Sequence, residues 1–168
     1  MGKENVSYHI REAREEDRER FVFLCLELAK FNRNNHDMRC AFDDFQEVLS
    51  LKDDEARKTF NLRGEDPKIF VAEREGKIMG YALGRIVEAE PNADNGRCRM
   101  GLLDELMVDS AARGEGMGKA LMDAMILFFQ SLGLRRIRIH AYAWNSRARS
   151  LYEESGFQQY ALSYEKFL

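Results

Sequence analysis

The chain has 168 residues and a formal net charge of −3, and 45% of its residues are hydrophobic and 33% charged. This length supports one hydrophobic core, so residues 1–168 are predicted to form a single domain. The apolar run at 21–29 is too short to span a membrane, and the charge gives no reason to expect nucleic acid. Three cysteines without metal-ligand spacing predict no metal site, and a cytoplasmic protein is expected.

The first quarter of the chain predicts a strand and a long helix. Residues 7–13 form the strand, and the helix covers 15–31 because apolar residues recur there at helical spacing. Residues 41–60 predict one or two shorter helices, with a break near Ser50.

Two β-rich runs within residues 68–89 meet at Glu75-Gly76, which predicts a hairpin because Gly supplies the positive φ of a tight turn. The next segments predict a strand at 97–108, a glycine loop at 113–120 and a helix at 118–133. They are followed by a strand at 134–142, a helix at 146–155, and a closing hairpin or two short strands at 157–168. Gly133 and Gly156 end the two helices, and Asn145 or Ser146 caps the second one.

The glycine loop, "RGEGMGKA" at 113–120, follows a strand and leads into a helix. Such a loop directs the unpaired N–H groups of the helix at a bound anion. A Walker A loop requires Gly at 113 and Ser or Thr at 120, where this chain has Arg113 and Ala120. The dinucleotide fingerprint G-x-G-x-x-G is also absent, because the spacing here is G-x-G-x-G. Both nucleotide-binding motifs are therefore excluded.

The pattern Arg113-x-x-Gly116-x-Gly118, preceded by "LDELMV", resembles the acetyl-CoA-binding motif of the GNAT superfamily of N-acetyltransferases. The segment "WNSRARSLYEESGF" at 144–157 is similar to a second signature of that family. The resemblance implies an α/β fold with a mixed, mainly antiparallel, twisted sheet. About six to seven strands and about four flanking helices are expected.

The resemblance also implies where acetyl-CoA binds. The fourth strand splays from the fifth, the pantetheine arm pairs with the end of the fourth strand, and the pyrophosphate lies on the glycine loop. The implied cofactor-binding residues are Leu106, Met107, Val108, Arg113, Gly114, Glu115, Gly116, Met117, Gly118, Lys119, Asn145, Arg147 and Tyr152. Arg149 is a further candidate for contact with phosphate.

Three side chains are candidates for the chemistry of acetyl transfer. The family pattern implies that Tyr152 protonates the departing CoA sulfur and that a base lies on the fourth strand. Asp104 and Glu105 are the candidates, and strict alternation puts them on opposite faces of the strand, so at most one points into the cleft. Alternation from Val108 favours Asp104 slightly, whereas a bulge would bring Glu105 inward. A backbone N–H near Val108 would stabilise the oxyanion.

The acceptor is predicted to be a primary amine of a small molecule, such as a polyamine or an aminoglycoside, or of a protein or peptide. Acidic residues in the segments that line the acceptor pocket of this family favour a cation, although they also fit solvated helix faces. They are Asp43, Asp44, Glu47, Asp53, Asp54, Glu55, Glu88, Glu90 and Asp94. His36 and His140 are weaker candidates for a base.

Two alternatives remain open from the sequence. The chain is either a catalyst or a non-catalytic CoA-binding or interaction domain of the same fold. Aromatic residues near the C-terminus either pair two subunits into a homodimer or cover the chain's own core: Tyr160, Tyr164 and Phe167.

Overall fold

The protein has a five-stranded sheet and four α-helices, in a computed structural model that describes residues 7–36, 43–92 and 96–166. The strands β1 to β5 are His9–Glu12, Lys68–Arg74, Lys77–Asn92, Gly96–Val108 and Ile137–Ile139. The helices α1 to α4 are Arg18–Asn34, Phe45–Asn61, Met117–Ser131 and Ser146–Glu154. The strands lie in the order β1-β2-β3-β4-β5, antiparallel except for the parallel pair β4–β5. The mixed, mainly antiparallel sheet and the four helices confirm the predicted fold class.

The β2–β3 hairpin has the predicted turn. Glu75 and Gly76 lie between the strands with φ of 53° and 75°. Positive φ at both central positions matches the right-handed twist of the flanking strands. The hairpin therefore forms at the turn that the sequence predicts.

Helices cover both faces of the sheet. Alternate strand residues face opposite sides, so Val71 and Tyr81 pack against α1 and α2, whereas Ala72 and Ala82 pack against α3. Side chains of α4 lie at the edge of the second cluster. None of the helices in the described ranges is long and apolar enough to cross a membrane.

The break predicted near Ser50 is wrong, because α2 is one continuous helix. The Asp44 carboxylate accepts hydrogen bonds from the backbone N–H of Gln46 (2.9 Å) and Glu47 (3.2 Å), which fixes the start of the helix. Ser50 is exposed and Phe60 fully buried, so packing at the far end outweighs the modest helix propensity of one serine.

Within the described residues the sheet has five strands, where about six to seven were predicted. Residues 157–166 form neither the closing hairpin nor a strand, and the predicted strand 134–142 is reduced to Ile137–Ile139. A three-residue edge strand offers few hydrogen-bonding groups to a sixth strand. Tyr160 and Tyr164 are 70% and 90% exposed, so they do not cover the chain's own core, and Phe167 lies outside the described residues.

Strand β4 contains a bulge and separates from β5. Leu83 pairs with Glu105 and Gly84 with Leu103, which leaves Asp104 without a partner on β3. The ladder to β5 covers only residues 101–103. Beyond Leu103 the edge of β4 that faces the β5–α4 connection is open, as the family resemblance implied.

Candidate active site

Two cavities meet at the open edge of β4. The bulge cavity, of about 610 Å³, lies between α1, α2, the Asp104 bulge and the β5–α4 connection. The loop cavity, of about 280 Å³, lies between the end of β4, the glycine loop and α4. Both cavities are lined by Leu28, Leu106, Asn145, Ala148 and Tyr152. A molecule that fills one cavity therefore reaches the other beside Tyr152.

The glycine loop presents the N-terminus of α3 to the loop cavity. Gly114 and Gly116 have φ of 87° and 85°, a region that glycine adopts without steric cost. Gly116 is the N-cap residue, and no side chain caps the helix. The first N–H groups of α3 thus have no intrahelical acceptor, and the helix dipole adds a positive field. This arrangement suits an anion.

Two of the predicted basic contacts are engaged with the protein itself. Arg113 donates from Nε to the carbonyl oxygen of Val108 (3.1 Å), and its guanidinium lies 4.9 Å from the centre of the Phe31 ring. Lys119 forms an ion pair with Asp123 one helical turn later (2.5 Å). Arg113 therefore ties the loop to the end of β4.

Unlike Arg113 and Lys119, Arg147 lines the loop cavity with neither a hydrogen bond nor an ion pair in the described ranges. Arg149, two residues later, lines neither cavity and donates from Nη1 to the carbonyl oxygen of Ala143 (3.2 Å). Glu115 is paired with Arg74 (2.6 Å) and does not line the loop cavity. Of the two α4 arginines, only Arg147 is placed to meet an anion at the loop.

Tyr152 lies where the cavities join. Asn145 accepts a hydrogen bond from the N–H of Ala148 (3.1 Å), so it caps α4 and sets the position of the helix. The Tyr152 ring packs 6.2 Å from that of Phe157, and the hydroxyl has no hydrogen-bond partner among the described residues. Burial raises the pKa of Tyr152 to about 12. The hydroxyl therefore keeps its proton at neutral pH and can donate it.

Asp104 and Glu105 both face the bulge cavity, and the prediction that they lie on opposite faces is wrong. Arg85 donates from Nε to Asp104 (2.9 Å) and reaches Thr59 on α2 with Nη2 (3.2 Å). Glu105 binds Lys52, also on α2. Both carboxylates are thus tied to one helix, because the bulge interrupts the alternation of β4.

Glu105 is the centre of a half-buried network. Tyr81 donates its hydroxyl to Oε2 (2.5 Å), Lys52 donates Nζ to Oε1, and the Cys25 thiol lies 3.9 Å from Oε2. Burial and the nearby charge of Glu105 raise the pKa of Tyr81 well above its usual value and that of Cys25 to about 12. Burial disfavours the Lys52 ammonium, but Glu105 outweighs it and raises the pKa of Lys52.

No motif in the sequence indicates a role for Lys52 or Tyr81. They lie 53 and 24 residues from Glu105 along the chain, so their contact depends on the packing of α2 against the sheet. Many proteins have a tyrosine in an apolar strand or a lysine in a charged helix. The spacing of neither residue marks it as part of a site.

Most of the predicted acidic cluster does not reach the bulge cavity. Asp44 caps α2, Asp53 pairs with Arg57 (2.8 Å), and Glu88 lies 3.6 Å from Arg99. Glu47, Asp54, Glu55 and Glu90 do not line the cavity, and Asp94 lies outside the described residues. Within the described part of this set, Asp43 alone lines the cavity.

An aromatic cluster of His36, Tyr142 and Trp144 borders the bulge cavity. Tyr142 and Trp144 are stacked, with ring centroids 5.5 Å apart and an interplanar angle of 12°. His36 meets the Tyr142 ring edge-on at 4.2 Å and accepts a hydrogen bond from Trp144 Nε1 (3.4 Å). His36, Tyr142 and His140 line the cavity. The described residues contain no group of His, Cys, Asp and Glu side chains that could hold a metal, and Cys40 lies outside them.

Comparison with known proteins identifies relatives of this chain. The model of the acetyltransferase (GNAT) family matches residues 31–157. Mycothiol acetyltransferase of Amycolatopsis mediterranei is 32% identical over 113 residues, which are 67% of this chain and 36% of that protein. The chain thus spans about a third of the length of this curated relative. The family match includes the glycine loop, both carboxylates of the bulge and Tyr152.

Solved structures share the fold at low sequence identity. A mutant of the BH1408 protein from Bacillus halodurans matches with a TM-score of 0.79 and 21% identity, over 95% of this chain and 99% of that chain. A predicted acetyltransferase of Clostridium acetobutylicum, crystallised with acetyl-CoA, matches with a TM-score of 0.71 and 18% identity, over 96% of each chain.

Proposed function

The chain belongs to the GNAT family of acetyltransferases, and we propose that it transfers the acetyl group of acetyl-CoA to a primary amine of a small molecule or peptide. The amine attacks the thioester directly, in a complex that holds both substrates. Residues 1–168 act as a single domain in this reaction. Two adjoining cavities, which meet beside Tyr152, support a reaction between two bound molecules.

The loop cavity fits the donor. The uncapped N-terminus of α3 binds the pyrophosphate, and Arg147 adds a positive charge. Gly118 lines this cavity, and a Cβ at this position would lie 3.7 Å from side-chain atoms of Val108 and Leu151. Because glycine has no Cβ, the backbone here stays accessible to the donor. The open edge of β4 at 106–108 pairs with the pantetheine arm. Acetyl-CoA supplies the activated thioester.

Tyr152 and Glu105 are the proposed acid and base. Tyr152 donates its proton to the sulfur of the leaving thiolate, which its raised pKa favours because the proton is retained until the sulfur gains charge. Glu105 accepts the proton of the amine through a water molecule. Asp104 is the weaker candidate because its side chain is 37% exposed, against 16% for Glu105, and because the buried Tyr81 hydroxyl orients Glu105.

The backbone near Val108 stabilises the transition state. As the carbonyl of the thioester gains negative charge, an N–H at the end of β4 donates a hydrogen bond to it. The Arg113 contact to Val108 holds this end of the strand in position before the donor binds.

The position of Tyr152 between the two cavities is the observation that carries this proposal. The test measures free thiol released from acetyl-CoA in the presence of a panel of primary amines. Amine-dependent thiol release is the expected result. Calorimetric binding of CoA without turnover on any amine would instead support a non-catalytic CoA-binding domain.

A further inference from the structure

One part of the wall of the bulge cavity is apolar. It includes Leu28, Ala29, Phe45, Val48, Leu103 and Ile139. Apolar walls with a few placed polar groups are typical of sites for small organic ligands. Against this part of the wall, a strongly hydrated polycation would lose its water without replacing it by protein hydrogen bonds.

The charges of this cavity are mostly neutralised by the protein. Glu105 is bound by Lys52, and Asp104 by Arg85. Asp43 is the cavity carboxylate without an ion-pair partner among the described residues, and Arg33 adds a positive charge to the wall. Each ammonium group of an acceptor needs a counter-charge when water is removed. Among the described residues of the cavity, Asp43 therefore offers one counter-charge to an ammonium group of the acceptor.

Lys52 determines how much negative charge the cavity offers to an acceptor. Its side chain is 20% exposed and lines the cavity beside Glu105, so its ammonium occupies the position where a second ammonium of a polyamine would bind the carboxylate. A polyamine would have to displace this ion pair. A monoamine with an uncharged body would not.

The aromatic cluster adds a planar surface. Tyr142 is 38% exposed, lines the cavity, and is already stacked on Trp144. Phe45 lines the same cavity. A flat ring in the acceptor would gain offset-stacked or edge-to-face contacts with these side chains.

We propose that the acceptor is a primary amine with a single positive charge on an aromatic body, and that Lys52 and Tyr142 select it against polyamines and aminoglycosides. This inference rests on the proposed acetyl transfer and narrows its acceptor. Lys52 acts by neutralising Glu105, and Tyr142 by contact with the ring.

The test compares kcat/KM for 2-phenylethylamine, n-hexylamine, spermidine and kanamycin with acetyl-CoA as donor. We expect the aromatic amine to exceed spermidine and kanamycin by about tenfold or more. Equal or higher kcat/KM for spermidine or kanamycin would overturn the inference.

Two variants separate the contributions of Lys52 and Tyr142 to the selection of the acceptor. Lys52→Met frees the charge of Glu105, so the ratio of spermidine to 2-phenylethylamine activity should rise about tenfold. Lys30→Met is the matched control, because Lys30 is exposed and its ion pair in the described part of the chain is with Glu27 of its own helix. Tyr142→Ala should lower kcat/KM for 2-phenylethylamine but not for n-hexylamine. Unchanged activity ratios in both variants would contradict the proposed roles of Lys52 and Tyr142. If Lys52→Met does not fold, Lys52→Gln takes its place.

The binding of the same amines, measured by calorimetry with CoA present, separates this inference from the proposed function. If no amine is acetylated but 2-phenylethylamine binds more tightly than spermidine, the acceptor class stands and the catalytic proposal fails. If spermidine binds as tightly, or if none of the amines binds, the acceptor class is wrong.

Discussion

Tyr81 on β3 donates its hydroxyl to Glu105 on β4, with 2.5 Å between the phenolic oxygen and Oε2. Tyr81 is fully buried, and burial together with Glu105 raises its pKa well above the usual value, so it acts only as a donor to the carboxylate. With Lys52 on the other carboxylate oxygen, this contact holds Glu105 in one orientation at the wall of the bulge cavity. Asp104, one residue earlier, has no comparable buried donor.

Replacement of the two carboxylates should distinguish their roles. Glu105→Gln removes the proposed base, so we expect kcat to fall by about 100-fold or more, with the Kd for acetyl-CoA nearly unchanged. Asp104→Asn is the matched control and should lower kcat by less than about fivefold. Initial rates of thiol release and calorimetric titration give the two quantities. The reverse order of the two kcat values would make Asp104 the base.

Tyr152→Phe should separate catalysis from donor binding. Loss of the hydroxyl removes the proposed proton donor, so kcat should fall by about 100-fold while the Kd for acetyl-CoA changes less than about threefold. Tyr160→Phe, at a residue 70% exposed, should leave both unchanged. Because the pKa of Tyr152 is about 12, wild-type activity should not decline between pH 7 and 9 through loss of this proton. An equal loss of affinity and turnover would contradict the acid role.

The two arginines of α4 form a matched pair. Arg147→Gln removes a cation of the loop cavity that has no hydrogen bond or ion pair in the described ranges, and should raise the Kd for acetyl-CoA about fivefold to tenfold, more at low salt than at high salt. Arg149→Gln removes a side chain that contacts the carbonyl of Ala143 and should have little effect. Calorimetric titrations at two salt concentrations measure both. Equal effects would show that Arg147 has no special contact with the donor.

Gly118→Val should weaken donor binding without unfolding the protein. The new Cβ makes ordinary contacts at 3.7 Å, but the γ-methyl groups take space in the loop cavity, so the Kd for acetyl-CoA should rise by about tenfold or more. Ala120→Val puts the same β-branched side chain in the same helix outside both cavities, and its Kd should match the wild type. Unchanged affinity in Gly118→Val would mean that the donor lies elsewhere.

Asp17 should contribute to the pH dependence of stability. Arg11 donates to both carboxylate oxygens of Asp17 (2.6 and 2.9 Å), and the N–H of Arg14 donates at 2.8 Å. Burial alone raises the pKa of Asp17, but the Arg11 and Arg14 hydrogen bonds outweigh it and hold the pKa below its ordinary value of 3.8. The charged form therefore stabilises the fold above this value, and the contribution is lost as the pH falls through the lower, folded-state pKa.

Asp17→Asn should lower the free energy of unfolding by about 3 kcal/mol at pH 7. Urea denaturation from pH 7 to pH 2 should show the difference from wild type shrinking at the acid end. Glu16→Gln, at an exposed neighbour, is the control and should have little effect at any pH. A difference that stays constant down to pH 2 would contradict the assignment to ionised Asp17.

The sequence predicted the elements whose signals are local. The turn at Glu75-Gly76 and the end of α3 at Gly133 were identified correctly, because positive φ at glycine is a property of a few neighbouring residues. The break near Ser50 was wrong because the tertiary contact of Phe60 decides the length of α2. The family motifs indicated the glycine loop and Tyr152 for the same reason, since each motif is short and contiguous.

The features that depend on distant pairing could not be predicted in the same way. The position of the bulge follows from the register of β4 against β3, and a strand pattern alone does not encode that register. The burial of Glu105 depends on Lys52, 53 residues away, and on Tyr81. The acidic run of α2 suggested an attraction for cations, whereas Asp44 caps the helix, and Asp53 and Glu55 pair with neighbouring basic residues.

The bulge divides β4 into two halves that are out of phase by one residue. Leu103 and Glu105 keep the faces they would have if they were adjacent in a regular strand, with Asp104 as the supernumerary residue between them. We therefore expect a deletion of Asp104 to remove this bulge and leave Glu105 on its face. A deletion at Leu106 would change the phase of the strand's last residues instead. We therefore expect the site to tolerate the loss of one residue at Asp104 but not at the neighbouring positions of β4.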